Sequence, residues 1–183
     1  MRLALIAVGI VLLTIGGANG QPSDDPDLAK LLQRVFPGAA SFSPKSGTPG
    51  VYRALGPASD GKTGELLGFV YWTTELEPLE RGFDGPIKML VGMNTAGILT
   101  GIAVTENREP YGYFSVDLPE FAGQFKNKNI RDAFKVGVDV DAISRATISV
   151  TSASRAIRNS SRKVARAYLK PQASSGAPAT NGQ

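Results

Sequence analysis

The sequence predicts an α+β fold: a central antiparallel sheet with helices packed against it, in a single domain. Three observations predict this. Apolar, β-branched and aromatic runs at 66–74, 87–93 and 98–105 read as strands, and the last two flank Asn94-Thr95-Ala96-Gly97, a hairpin turn. Apolar residues at helical spacing bracket these runs, at 27–36 before them and 151–169 after them. The length, 183 residues, suits one domain with a sizeable core once polar ends are set aside.

In chain order, Met1-Arg2 and the apolar run Leu3 to Ala18 read as a secretory leader. Ala18 and Gly20 supply the small residues before a cut at Gln21, so residues 1–20 are expected to be a signal peptide and the protein periplasmic or otherwise extracytoplasmic. An uncleaved N-terminal membrane anchor is the alternative, and the absence of Cys after the run excludes a lipoprotein. Residues 21–26 read as a linker, 27–170 as the folded domain and 171–183, rich in Pro, Ser, Gly and Ala, as a disordered tail.

Asp27 is expected to cap a helix carrying Leu28, Leu31, Leu32 and Val35, stopped by Pro37-Gly38. Residues 39–50 read as irregular and 51–54 as a strand. Residues 66–74 carry Phe69, Tyr71 and Trp72, the last read as core rather than cofactor contact. Pro110 bars continuation of the strand ending near Thr105, so 106–113 is a loop holding a carboxylate beside two aromatics. Phe121 and Phe125 share a helical face over 118–125, with Pro119 in its first turn. Residues 130–140 are expected to end in a short strand. A helix from about Thr151 then carries Ala153, Ile157, Val164 and Tyr168 on one stripe.

Composition removes much chemistry. There is no Cys and no His, which excludes disulfides, thiolate nucleophiles, Cys/His zinc sites, Cys-ligated iron–sulfur clusters and a Ser-His-Asp triad. If the protein handles electrons, an organic cofactor is the natural carrier. Formal net charge is only +4, but no acidic side chain follows Asp141, whereas Arg145, Arg155, Arg158, Arg162, Lys163, Arg166 and Lys170 do. The simplest reading is a solvated basic helix face; nucleic acid is not an expected partner.

The most informative stretch is Asp141-Ala142-Ile143-Ser144-Arg145-Ala146-Thr147. Bare chemistry reads it as a turn presenting hydroxyls before a helix, where Ser and Thr commonly cap free N–H groups. The order D-x-x-S-x-A-T also resembles the flavinylation motif of FMN-binding domains, in which the last Thr carries FMN through a phosphoester bond. Such domains occur in the C subunit of sodium-pumping NADH:quinone reductase, the G subunit of Rnf complexes and the periplasmic part of NosR-type proteins. Gly82-Phe83-Asp84-Gly85-Pro86-Ile87 and its following hairpin resemble the NosR-type Gly-aromatic-x-Gly-Pro-Ile block. Glu109-Pro110-Tyr111-Gly112 resembles the loop that lies against the isoalloxazine ring in related domains.

The resemblance implies an FMN cofactor held covalently on Thr147, with Asp141, Ser144 and Ala146 completing the motif and Gly85, Glu109, Pro110, Tyr111 and Gly112 contributing around it. Arg145 stands where the family usually has Gly, although Gly permits backbone angles that a side chain resists; its charge is placed to meet a phosphate. Arg108 stands near where NosR-type domains often carry His. The implied function is an electron-carrying flavoprotein, loaded by a separate ApbE-type flavin transferase and exchanging electrons with redox partner proteins, some of them membrane-bound. An enzyme with its own small substrate fits less well, for want of an obvious general acid. The alternative is a binding or regulatory module of the same fold without flavin, the reading that Arg145 favours.

Overall fold

The computed structural model describes residues 25–169. The expected leader, most of the linker and the tail lie outside the described residues. The observed architecture is α+β: a five-stranded meander, every neighbouring pair antiparallel, with a helix on one face and helices on the other.

The strands are β1 (Ser41–Phe42), β2 (Tyr52–Leu55), β3 (Leu66–Trp72), β4 (Lys88–Asn94) and β5 (Leu99–Glu106), in sheet order β1-β2-β3-β4-β5. Side chains alternate across a strand. Phe69 and Tyr71 of β3 and Met89, Val91 and Met93 of β4 therefore face one core, while Val70 and Leu90 face the other. Both faces are covered, which is why β3 and β4 read as continuous apolar runs rather than alternating ones.

Helix α1 (Pro26–Val35) covers the smaller core. Its cap is Asp25, not Asp27: the Asp25 carboxylate accepts the N–H groups of Asp27 (2.9 Å) and Leu28 (3.3 Å), and Pro26 fits the first turn. The C-terminal end of α1 lies very close to the sheet. A Cβ at Gly92 would sit 2.4 Å from the Val35 carbonyl oxygen, and one at its register partner Gly101 would sit 3.0 Å from it. Thr100 donates to the same carbonyl at 2.6 Å.

Helix α4 (Thr147–Tyr168) crosses the opposite face with the short helix α3 (Pro119–Gly123). Val150, Ala153, Ile157 and Val164 are buried against the sheet, and Tyr168 stacks on Phe69. Several serines share this buried face. Ser154, Ser160 and Ser161 donate back to helix carbonyls, and Ser161 also accepts from Tyr71 at 2.7 Å, so no hydroxyl pays an unmet desolvation cost.

Several further expectations need correction. Residues 41–42 form a strand, because Ser41 and Phe42 find partners in β2 that no local pattern announces. The strand beginning at Leu66 ends at Trp72, where a one-turn helix α2 (Thr73–Leu76) begins and the Thr73 hydroxyl accepts the Met89 N–H at 3.2 Å. Trp72 itself, as expected, packs against a core, the smaller one, though it is only partly buried, with the Lys88 ammonium 5.0 Å above its ring. Residues 130–140 hold no strand, only an isolated Val136–Val140 bridge: the Asp139 carboxylate collects the N–H groups of Phe134 (3.0 Å) and Lys135 (2.7 Å) and closes the segment into turns. The last helix starts at Thr147, four positions before Thr151, so Thr147 is in its first turn. The basic face is also more than solvated: Arg155 forms a bidentate pair with Glu80, and Arg162 donates to the Ile130 and Asp132 carbonyls at 2.8 and 2.9 Å.

Candidate functional site

Three segments meet beside the N-terminal end of α4: the turn 82–85, the loop after β5, and the turn that leads into the helix. Each is held by a different local device. In the loop, Asn107 accepts the Glu109 N–H (3.1 Å) and donates to Asp117 (2.6 Å), while the Gly112 N–H returns to the Glu109 carbonyl (3.0 Å). Gly112 is buried where a Cβ would fall 2.6 Å from the Asn107 side-chain oxygen, so a larger residue there would have to displace Asn107. The bend leaves Pro110 and Tyr111 facing outward and sends the Glu109 side chain inward.

Glu109 is only 7% exposed. Its carboxylate accepts the N–H groups of Phe83 (2.8 Å) and Asp84 (3.0 Å) and the hydroxyl of Ser149. All three segments are thus joined at one carboxylate. Gly82 makes room for it, since a Cβ there would lie 2.5 Å from a carboxylate oxygen.

In the turn before α4, the Asp141 N–H is held by Gln124 at 2.6 Å and the Ala146 N–H by the Ile143 carbonyl at 3.1 Å. Ala146 is buried in the larger core, which explains a small apolar residue at that point. Arg145 takes φ +66°, the left-handed conformation that Gly reaches without strain. An arginine therefore does adopt this turn, at an energetic cost. The first helical bond runs from the Val150 N–H to the Ala146 carbonyl (2.9 Å), which leaves the N–H groups of Thr147, Ile148 and Ser149 with no backbone acceptor among the described residues.

A cavity of ≈ 280 Å³ opens at this junction, lined by Phe83, Pro110, Tyr111, Arg145, Ala146, Thr147, Ile148 and Ser149. Of the residues singled out from sequence, Thr147, Ala146, Arg145, Pro110 and Tyr111 line it. Glu109 lies behind it, bonded to Ser149. Asp141, Ser144, Gly85 and Gly112 do not line it; Gly85 closes the 82–85 turn through its carbonyl, which accepts the Gly82 N–H at 2.7 Å. Sequence reasoning missed Phe83, Ile148 and Ser149 as lining residues. The available signal was apolar side chains off every core stripe: Phe83 is 67% exposed and Ile148 59%.

Residues 82–162 match the model of a family described as the FMN-binding domain. That segment is similar to FMN-binding domains. The matched segment runs from Gly82 through the hairpin, the Glu109 loop and the Thr147 turn into α4, so every wall of the cavity falls inside it. Curated protein sequences give no match to the chain.

FMN is the cofactor this domain indicates. The residues fit it chemically. Free N–H groups at the start of a 22-residue helix, with the helix dipole behind them, suit a phosphate, and Arg145 adds a full positive charge on the same wall. Phe83, Pro110, Tyr111 and Ile148 offer apolar and aromatic surface suited to a flat heteroaromatic ring.

Proposed function

We propose that this protein is an exported electron-transfer flavoprotein that carries FMN esterified to Thr147. The observation that carries the reading is the contrast between two hydroxyls on one cavity wall. Thr147 is exposed in the first turn of α4, beside the free N–H groups and Arg145, whereas Ser149 is buried and donates to Glu109. Of the two, Thr147 is the one where an incoming phosphoryl group finds donors, positive charge and an accessible oxygen together.

The loading reaction is phosphoryl transfer from FAD by a separate ApbE-type transferase. The FAD pyrophosphate bond breaks, the Thr147 oxygen gains a bond to the FMN phosphorus, AMP leaves, and the Thr147 proton is released. A covalent tether keeps the cofactor outside the cytoplasm, where the leader reading places the protein. Among residues 25–169, no helix is long and apolar enough to cross a membrane. When bound, FMN supplies one- and two-electron chemistry. The chain's own part is to hold the phosphate end at α4, present a largely apolar wall to the ring, and leave one side open to partners. The donor is read as a membrane quinol or NADH-linked protein, and the acceptor as an extracytoplasmic reductase or maturation system.

The test is mass spectrometry of denatured protein produced together with its transferase. Wild type is expected to stay yellow after acid precipitation and to gain one FMN phosphate mass. Thr147→Val should lose that mass and Ser149→Ala should keep it. Colourless, unmodified wild-type protein overturns the proposal.

A further inference from the structure

The domain's own architecture leaves one question open: what holds Phe83 in place. Its ring is 67% exposed, so no core fixes it. Its turn belongs to no strand or helix, and the only backbone bond within it joins the Gly82 N–H to the Gly85 carbonyl. Yet Phe83 lines the cavity opposite residues of the α4 turn. The two N–H groups that follow Gly82 in the turn, those of Phe83 and Asp84, both end on the Glu109 carboxylate, which also takes the Ser149 hydroxyl.

We infer that Glu109 is a positioning residue for the flavin: its buried carboxylate ties the Phe83–Asp84 backbone to the first turn of α4 and so holds Phe83 as a wall of the cavity beside Thr147. This rests on the reading of that cavity as the flavin site. The geometry favours a positioning role over a contact role, because the carboxylate oxygens point at protein donors and Glu109 does not itself line the cavity. It also favours a carboxylate over its amide. Asp84 meets one oxygen and Phe83 with Ser149 the other, so a Gln would turn an NH₂ group toward an N–H donor. Phe83 belongs to neither hydrophobic cluster, so removing its exposed ring opens no core.

Two measurements on the full chain test this. In unloaded protein, the Phe83 and Asp84 amides should exchange slowly with deuterium in wild type. They should exchange at least ten times faster in Glu109→Ala and Glu109→Gln, with core amides of β4 unchanged. In protein loaded with FMN, the induced visible circular dichroism of the flavin should fall by at least half in Phe83→Ala and to a similar level in Glu109→Ala. The double variant should be no lower than Phe83→Ala alone, since both changes act through one wall. Gly82→Ala, which drives a Cβ against the carboxylate without replacing either residue, should give the same loss if Glu109→Ala folds poorly.

Wild-type exchange rates in Glu109→Ala, or additive losses in the double variant, overturn the positioning role while leaving Thr147 loading intact. Wild-type protein that takes up no FMN overturns the flavin reading, and this role with it, whatever the exchange data show.

Discussion

At the scale of single residues, Arg145 carries an energetic conflict. A left-handed backbone costs an L-residue roughly 1–2 kcal/mol relative to the right-handed one, a cost Gly avoids. The side chain held there lines the cavity beside Thr147. Arg145→Gly is therefore expected to act in opposite directions on stability and binding. Thermal unfolding should shift upward by a stability gain of about 1 kcal/mol or less, the freedom of Gly in the unfolded chain offsetting part of the relief. The unloaded protein's preference for FMN over riboflavin, and the salt sensitivity of that preference, should fall. Titration by flavin fluorescence alongside calorimetry measures both. Tyr71 is the contrasting case, a buried phenol whose burial pushes its ionisation well above the usual range, against the milder opposing pull of its bond to Ser161. Tyr71→Phe should lower stability by about 1 kcal/mol, because the Ser161 hydroxyl keeps its own bond to Ile157.

At the scale of elements, two contacts decide how the helices sit on the sheet. Gly92 and Gly101 let the end of α1 approach the backbone of β4 and β5. Gly92→Ala sets a Cβ 2.4 Å from the Val35 carbonyl, a backbone atom that cannot swing away. Overpacking of this kind costs about 1–3 kcal/mol, and the urea midpoint should fall accordingly. On the opposite face, α4 is pinned by Glu80, whose pairing with Arg155 holds its ionisation below the usual carboxylate range, against the upward push of partial burial. The folded-state pKa is thus below the unfolded value of about 4.3. The resulting stability is fully present above that value and is lost as pH falls through the folded pKa. Glu80→Gln should remove part of the acid-side slope of stability against pH and leave the slope near neutrality unchanged, as denaturant titration at several pH values can show.

At the scale of the whole molecule, the family match and the folding unit differ in extent. The match begins at residue 82, yet β4 pairs with β3 from Leu90 to Asn94, and Val51, Phe69 and Tyr71 belong to the same buried cluster as α4. A fragment of residues 82–169 would expose the β3-facing edge of β4 and lose the partners of one whole sheet face. It is expected to lack cooperative unfolding and to aggregate, whereas residues 25–169 should unfold in one transition, measured by circular dichroism against urea.

What the sequence determined by itself is what neighbouring residues decide. The hairpin around Asn94–Gly97 and the amphipathic stripes of α1 and α4 depend on local spacing and turn chemistry, and both were legible, whereas Thr147 was singled out by resemblance to a family motif. The left-handed angle at Arg145 was foreshadowed by the glycine usual at that position. What only the tertiary structure decided involves partners far away in the chain. β1 exists because β2 offers it an edge. Glu109 looks like a ring contact in its own loop, but its charge is satisfied by donors 25, 26 and 40 residues distant, and those pull it inward. Phe83 and Ile148 become cavity walls only once three separate segments are brought to one carboxylate, because a side chain's burial and its hydrogen bonds are set by what folds against it.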